Sequence, residues 1–238
     1  MANNNESKWT RRTTMKLVGA VAALAPLGRL LGGAAPAAIH RPKPATLDPR
    51  PPSANDWQKL EEALQGQLLE VSSPLDICRS APGSPAAMVA IEDMKNPFFL
   101  EEQPGATHTT GWIGAFDAAV SPQAIAVENA GDIALAVDFA SKHGLKLVIK
   151  GTGHDYLGRS SAPDSLLVWT HKMRDVVVHD AFVPEGGAVD GIPAVTVSAG
   201  TRWLEAYDAV TNHSGRYVQG GGCTSVGACG GFTLGSGF

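Results

Sequence analysis

Two glycine-dense loops constrain this chain more than any other feature. The first, residues 150–161, reads Lys-Gly-Thr-Gly-His-Asp-Tyr-Leu-Gly-Arg-Ser-Ser and follows the strand-like run Leu145–Ile149. The second, residues 220–227, reads Gly-Gly-Gly-Cys-Thr-Ser-Val-Gly. Glycine allows backbone conformations that turn successive N–H groups toward one concave surface, and such a nest at the end of a strand binds anions. The first loop is therefore predicted to hold a pyrophosphate.

Neither of the common nucleotide-binding motifs is present. A dinucleotide-binding turn that used Gly151 and Gly153 would need a third glycine at position 156, where the sequence has Tyr156. A P-loop would need Lys-Ser or Lys-Thr after a spaced glycine, and the loop has no such pair. Taken singly, His154 is typical of a surface loop and Cys223 of a small buried residue. Their combination on two such loops favours a different phosphate site.

The two loops resemble those of a known flavoprotein family. Residues 151–158 resemble the phosphate loop of the FAD-binding domain of vanillyl-alcohol oxidase and p-cresol methylhydroxylase, the PCMH type. Residues 222–227, with the glycine pairs that follow, resemble its second flavin loop, and Thr201–Asp208 resembles the berberine-bridge-enzyme-like branch. The resemblance covers residues 116–238. It implies an α+β fold, a PCMH-type FAD-binding domain of two α/β subdomains that is truncated at its C-terminus.

The resemblance also implies which residues contact the cofactor. His154 corresponds to the imidazole that bonds the flavin 8-methyl carbon, and Cys223 to the thiolate that bonds ring carbon 6. The spacing from Cys223 to the next glycine pair is one residue longer than in plant members, and Cys229 occupies it, so the second bond stays open. The predicted FAD-binding residues are Lys150, Gly151, Thr152, Gly153, His154, Asp155, Gly158, Ser160, Ser161, Gly222, Cys223, Thr224, Ser225, Val226, Gly227, Gly230 and Gly231.

By the same resemblance, the chain is part of an FAD-dependent oxidoreductase. A base takes a proton from an alcohol or sugar hydroxyl of a small-molecule substrate, hydride passes to flavin N5, and dioxygen is the acceptor. In the family, the catalytic base and the substrate-covering domain follow the second loop. We therefore expect a truncated chain that is inactive by itself, with no catalytic residue assigned. The alternatives are a non-catalytic flavin-binding remnant, and a secreted metal-binding protein using Cys223, Cys229 and His213.

Charge and cysteine content exclude several other classes. The formal net charge is −4 and the cationic residues are scattered, so no basic stripe for nucleic acid exists. The three cysteines are too few and too irregularly spaced for a disulfide framework or a paired-cysteine zinc site. The main interpretation therefore includes neither a nucleic-acid partner nor a bound metal.

The first 37 residues have the pattern of an export signal. Two arginines, Arg11 and Arg12, precede an apolar run over residues 17–31, and Ala35-Pro-Ala supplies small residues for cleavage. Twin arginines are typical of export in the folded state, which suits a protein that takes up its cofactor first. An ordinary signal peptide and a membrane anchor are the alternatives, but Pro26 and Arg29 interrupt a run too short to span a bilayer. We expect a periplasmic or secreted protein without a stable membrane span.

The rest of the chain divides by composition. Residues 38–53 are a proline-rich linker. Residues 54–115 are predicted to begin with a helix that is capped by Asn55-Asp56 and carries Leu60, Leu64 and Leu68 on one apolar stripe. The rest of this range is predicted to be an irregular segment that wraps a surface, and no catalytic or binding residue is assigned to it. Residues 116–238 are the cofactor domain. In it we predict strands at 124–127, 145–149, 166–168, 176–178 and 195–197, a helix over 130–143 ended by Gly144, and a helix after Thr201 that runs to Gly215.

Overall fold

The computed structural model describes residues 50–115, 119–187 and 190–234. The predicted export signal and most of the linker lie outside these residues and stay predictions. The helices are α1 (Ala54–Ala63), α2 (Asp76–Ser80), α3 (Pro85–Asp93), α4 (Pro97–Glu101), α5 (Ala130–His143), α6 (Trp203–Tyr207) and α7 (Gly231–Leu234). The strands are β1 (Gln67–Glu70), β2 (Gln123–Ala126), β3 (Lys146–Lys150), β4 (Ser165–Trp169), β5 (Val176–Phe182) and β6 (Ile192–Val197). Short 3-10 turns span His108–Gly111 and Thr170–Lys172, and a π-helix spans Asp208–His213.

A four-stranded mixed sheet positions the first glycine loop. Its strand order is β1-β2-β4-β3, with β1 antiparallel to β2 and the other three strands parallel to one another. The carboxyl ends of parallel strands share one edge of a sheet, which is where open α/β sheets bind ligands. The first glycine loop leaves β3 at this edge. β5 and β6 form a separate antiparallel pair.

Both faces of the four-stranded sheet are covered. On one face, Ile125 and Val168 pack against Phe139 and Ala140 of α5 and against Leu60 of α1. The other face forms a second cluster of Ala124, Ala126, Val148, Leu167 and Trp169. All five residues of β4 are buried, as expected for a central strand covered on both sides. The edge from which the loop departs is therefore held by a rigid, well-packed element.

Most predicted elements of the cofactor domain are confirmed. β2, β3, β4, β5 and β6 lie within a few residues of the expected strands. Helix α5 begins after the N-cap Asn129 and ends at Gly144, whose φ of 62° is the left-handed conformation that glycine adopts readily. These elements were predictable because the pattern of apolar residues that forms each one, and the residues that end it, lie close together in the sequence.

The first predicted helix is shorter than expected. Ser53, not Asn55, is the N-cap, and Asp56 completes a capping box with it. The helix ends at Ala63, and Leu68 lies in β1 opposite Ile125. The four-residue spacing of Leu60, Leu64 and Leu68 suggested one long helix. Leu68 reaches the same core from a strand, and the spacing alone does not distinguish the two cases.

The prediction of an irregular segment over residues 72–115 is wrong. It contains α2, α3 and α4. Two prolines of this segment, Pro85 and Pro97, occupy first-turn positions behind the side-chain caps Ser84 and Asn96. Proline suits the first turn because its missing N–H has no intrahelical acceptor there.

The helix after Thr201 also differs in detail. Its N-cap is Arg202, whose backbone N–H donates to the Glu205 carboxylate at 2.8 Å. The Thr201 hydroxyl donates instead to the Asp175 carbonyl at 3.2 Å. The α-helical part ends at Tyr207 and continues as the π-helix. The local signal for a helix was correct, but tertiary contacts chose its first residue.

Candidate functional site

The first glycine loop has the backbone conformation that its glycines predict. Gly153 has φ of 79° and Gly158 has φ of 67°, both in the left-handed region. At Gly153 a Cβ atom would also lie 3.3 Å from the Lys150 Cδ atom, which is a tight contact. The Gly153 carbonyl accepts a hydrogen bond from the His108 N–H at 2.8 Å. The loop thus turns sharply against the segment that precedes β2.

This loop offers unused hydrogen-bond donors. Within the described ranges, no residue accepts a hydrogen bond from the backbone N–H groups of residues 152–156. The Ser160 hydroxyl is buried and has no partner there either. Successive N–H groups on a glycine turn that have no protein acceptor form the kind of donor set that an anionic group would satisfy.

The second glycine loop is tied to the first and to the start of α6. The Gly227 N–H donates to the Thr152 hydroxyl at 3.0 Å, which joins the two loops directly. The Trp203 N–H donates to the Val226 carbonyl and the Leu204 N–H to the Thr224 carbonyl, each at 2.9 Å. The loop is therefore fixed by a helix start on one side and by the first loop on the other.

The two predicted flavin anchors meet at one hydroxyl. The His154 Nε2 atom lies 2.9 Å from the Ser225 Oγ atom, and the Cys223 Sγ atom lies 3.3 Å from the same oxygen. Ser225 is 1% exposed, whereas Cys223 is exposed. The side chains at 154 and 225 are 71 positions apart in the chain. The structure therefore brings the predicted imidazole and thiol to a single place between the loops.

The environment of His154 keeps its imidazole neutral. Burial lowers the pKa of His154 to about 4, and the neighbouring His108 acts in the same direction. The two rings stack with centroids 4.6 Å apart and an interplanar angle of 26°. A neutral imidazole keeps one ring nitrogen with a free lone pair, which is the form that acts as a nucleophile or base.

An aromatic cluster of His108, Trp112 and Tyr156 beside His154 was not predicted from the sequence. His108 contacts Tyr156 with ring centroids 5.4 Å apart, and Trp112 lies 5.2 Å from His108 and 5.3 Å from Tyr156. His108 and Trp112 belong to the segment that was assigned no chemistry. Nothing local marks them, because their neighbours across the fold come from the first glycine loop.

Lys150 is not placed as predicted. Its side chain is 1% exposed, and Nζ donates to the carbonyls of Gln103, Pro104 and Ala106 at 2.8, 2.7 and 2.8 Å. Burial lowers the pKa of Lys150 to about 7, although three carbonyl acceptors favour the ammonium. All three donors are used inside the protein, so Lys150 clamps the 103–106 segment and does not face a phosphate.

We expect Lys150→Met to lower the free energy of unfolding by about 2 kcal/mol, because methionine fills the same space and leaves buried carbonyl acceptors unpaired. The measurement is the urea unfolding transition. Lys146→Met is the matched control, since Lys146 lies on the same strand with an exposed side chain. Equal effects of the two substitutions would contradict the clamp.

Two further predicted contacts are used within the loop. The Asp155 carboxylate accepts from the Leu157 and Arg159 N–H groups and pairs with the Arg159 guanidinium at 2.6 and 2.9 Å. The Ser161 hydroxyl accepts from the Ser121 N–H at 3.2 Å. Both side chains thus help to shape this region, and their predicted contact with the cofactor stays a prediction.

The remaining residues of the second loop divide into packed and open positions. Val226 packs on the cluster of Trp203, Ala206 and Ala228, so its role is in the fold. A Cβ atom added at Gly222, Gly230 or Gly231 would meet no protein atom within 4 Å. Internal packing does not require glycine at these three positions. An added Cβ atom at each of them would point into open space.

A cavity of about 410 Å³ lies alongside the first loop. The wall on one side is the 105–110 segment with its threonine hydroxyls, and the wall on the other is the end of the loop and the edge of β3. The residues that line it are Gly105, Thr107, Thr109, Thr110, Ala119, Lys146, Val148, Leu157, Gly158, Arg159, Ser161 and Ala162.

A buried ion-pair network supports the start of α6. The Arg202 guanidinium donates to Glu101 at 2.6 Å and to Glu205 at 2.6 and 3.0 Å. Glu101 is fully buried, and its Oε2 atom has no partner in the described part of the chain. Burial raises the pKa of Glu101 to about 7, against the opposing effect of Arg202. This network fixes the residues that hold the second glycine loop.

Two other features are absent from the described residues. No three His, Cys, Asp or Glu side chains there come together as a metal site would require. No helix among those residues has the length and apolarity to cross a membrane.

Comparison with known proteins identifies the class. A family model described as "FAD binding domain" matches residues 122–238. An uncharacterized FAD-linked oxidoreductase of Arthroderma benhamiae is 35% identical over 204 residues, covering 78% of this chain and 36% of the relative. The VAO-type flavoprotein oxidase VAO615 of Thermothelomyces thermophilus is 30% identical over 210 residues, covering 78% and 35%. The crystal structure of the VAO-type flavoprotein MtVAO615 from Myceliophthora thermophila C1 matches with a TM-score of 0.64 and 28% identity, covering 78% and 36%.

Through residues 122–238 this chain belongs to the FAD binding domain family, and its relatives are VAO-type FAD-linked oxidoreductases. The fold class predicted from the sequence is thereby confirmed. The chain spans about a third of the length of the curated relatives it matches.

Proposed function

We propose that this chain is the FAD-holding part of an FAD-linked oxidase, with the flavin bonded covalently to His154 and with Cys223 as a second anchor. The observation that carries the proposal is the convergence of His154 and Cys223 on the Ser225 hydroxyl, between two glycine loops with unused N–H groups. The donor set fits an FAD: unpaired N–H groups suit its pyrophosphate, and a neutral imidazole and an exposed thiol suit two attachment points.

The chain's own residues would divide the work of holding it. The N–H groups of residues 152–156 and the Ser160 hydroxyl would bind the pyrophosphate, and the threonine-lined cavity alongside the loop provides room for a further part of the molecule. When bound, FAD supplies the electron chemistry, accepting hydride at N5 and passing electrons to an acceptor. The rigid sheet edge and the Glu101–Arg202 network would orient the loops on either side.

For the substrate and acceptor we propose an alcohol or sugar-type small molecule and dioxygen. The name of VAO615, a flavoprotein oxidase, supports dioxygen as the acceptor. The resemblance of Thr201–Asp208 to the berberine-bridge-enzyme-like branch supports the substrate class. Because residues 38–238 lie in a chain that spans about a third of the length of its curated relatives, we expect them alone to give no substrate-dependent hydrogen peroxide.

We further propose that the whole protein is exported after it has taken up its flavin. The twin arginines and the apolar run of residues 1–37 support this proposal. Replacing Arg11 and Arg12 by lysine should retain a reporter fused to this segment in the cytoplasm, while an unchanged distribution would refute this route of export.

The direct test of the cofactor proposal is the colour of the purified chain. We expect flavin absorbance that stays with the protein after acid precipitation and washing, because a covalent bond survives unfolding and hydrogen bonds do not. Flavin released entirely into the supernatant would refute the covalent bond but keep the binding site. A colourless protein after reconstitution with FAD would refute the FAD site itself.

A further inference from the structure

Ser225 occupies a fixed position between the two candidate anchors. Its side chain is 1% exposed, and its Oγ atom lies 2.9 Å from His154 Nε2 and 3.3 Å from Cys223 Sγ. The carbonyls of the residues on either side of it accept hydrogen bonds from the first turn of α6, each at 2.9 Å. The backbone that carries the hydroxyl is thus fixed on both sides of Ser225, and the buried hydroxyl lies within hydrogen-bond distance of the imidazole.

The hydrogen bond between Ser225 and His154 can run in two directions. A hydroxyl has one hydrogen to donate and can also accept, while a neutral imidazole carries one proton on either ring nitrogen. If the proton is on Nε2, it is donated to Oγ and the bare Nδ1 needs no acceptor. If it is on Nδ1, an N–H is left for which no described residue provides an acceptor. Unpaired N–H groups in partly buried places are the rarer case, so the first arrangement is favoured.

We propose that Ser225 is a positioning residue that holds His154 in the tautomer with the proton on Nε2 and a free lone pair on Nδ1. The Ser225 hydroxyl hydrogen is then available to the Cys223 sulfur, 3.3 Å away. His108, stacked on the other side of the ring, is a second imidazole whose pKa burial also lowers, so it brings no positive charge near neutral pH. Nothing on that face of the ring competes for the Nε2 proton.

The consequence for attachment rests on the proposed covalent flavin. The nitrogen with the free lone pair is the nucleophile, so the bond forms from Nδ1 to the carbon of the flavin 8-methyl group. Overall, one hydrogen leaves that methyl group and the Nε2 proton leaves the ring by way of Ser225. Two electrons and two protons pass to dioxygen, which becomes hydrogen peroxide. Without Ser225, nothing favours the proton on Nε2, and in the other tautomer the free lone pair lies on Nε2 and not on Nδ1.

Nuclear magnetic resonance of the full chain labelled with ¹⁵N-histidine tests the tautomer without any flavin. A protonated and a bare ring nitrogen resonate far apart, and His154→Gln assigns the signals. We expect a protonated Nε2 and a bare Nδ1 in the wild-type chain and in Cys223→Ala, and a mixture of the two tautomers in Ser225→Ala. Ser225→Thr, which restores a hydroxyl, should return the wild-type pattern. Ser80→Ala, on an exposed helix, is the control for loss of a hydroxyl elsewhere.

Two results would overturn the inference: a proton on Nδ1 in the wild-type chain, or an unchanged tautomer in Ser225→Ala. If Ser225→Ala fails to fold, the wild-type and Ser225→Thr spectra still decide the first point. In a Cys223→Ala background, the fraction of flavin that stays with denatured protein should fall about two- to tenfold in Ser225→Ala, as expected for the loss of one hydrogen bond. A chain that binds no flavin would refute the proposed function and leave the tautomer result standing, so the two failures are distinguishable.

Discussion

In a Cys223→Ala background, His154→Ala is expected to lower the flavin that stays with acid-denatured protein at least about tenfold, because no nucleophile is left to bond it. The background matters, since a bond through Cys223 would otherwise keep the label in place. The measurement is flavin fluorescence of the washed, unfolded protein, with a mass determination on the peptide that contains residue 154.

The physical reason is the state of the imidazole before any bond forms. The pKa of His154 is lowered to about 4 by burial and by the neighbouring His108, so the ring is neutral at physiological pH. A neutral ring on a loop with unpaired N–H groups is both reactive and close to where the cofactor would lie. Cys223→Ala by itself should therefore keep most of the label.

His213→Ala in the same background is the matched control, because His213 is largely exposed and pairs with Asp208 on the π-helix, away from the loops. It should leave the label unchanged. Retention of the label in the variant lacking both His154 and Cys223 would show that the anchor is another residue. The same control tests the metal-binding alternative, which requires His213.

The second large effect is expected on stability. Arg202→Ala should lower the free energy of unfolding by about 3–5 kcal/mol at pH 8.5, since it leaves the fully buried Glu101 without its ion-pair partner. The measurement is the urea unfolding midpoint at two pH values. At pH 5.5 the loss should be less than half as large, because protonation of Glu101 removes the unpaired charge.

The direction of this pH dependence follows from the pKa of Glu101. Its folded-state pKa, about 7, lies above the ordinary value of 4.5, so the folded chain binds more protons than the unfolded chain between these two values. This group therefore makes the protein less stable as pH rises from 4.5 to 7, and its full cost is present above pH 7. Glu101→Gln should remove this contribution.

Lys95→Ala is the control for a charge pair without burial, because Lys95 and its partner Glu92 are both exposed. Exposed pairs contribute about 0–1 kcal/mol, so little change is expected. Adding Glu101→Gln to Arg202→Ala should recover part of the lost stability at pH 8.5. A loss in Arg202→Ala that is the same at both pH values would show that packing, not the buried charge, is responsible.

The elements that sequence reasoning located share one property. Helix α5 has its N-cap at Asn129, a helical spacing of apolar residues along its length and its C-cap at Gly144, all within one short segment. The strands around it are short apolar runs that cover both faces of a sheet. Where the signal was ambiguous, prediction failed: Pro85 and Pro97 start helices, although proline also breaks them.

Lys150 shows why the site was predicted only in part. A lysine at the end of a strand, next to a glycine loop, has the same local sequence whether it faces a phosphate or turns inward. Three carbonyls from residues 103–106 decide the matter, and they come from a segment of the chain that gave no signal. Glu101 and His108 were missed for the same reason.

The sequence by itself determined the family, the two glycine loops and the identity of His154 and Cys223, since glycine conformations and motif spacing are written in consecutive residues. Only the tertiary structure decided that both candidate anchors contact the hydroxyl of Ser225, that the buried Lys150 binds the 103–106 segment, and that Arg202 pairs with the buried Glu101. The contacts of His154 with Ser225, of Lys150 with Ala106 and of Arg202 with Glu101 join residues more than forty positions apart, and chain packing, not local preference, brings such residues together.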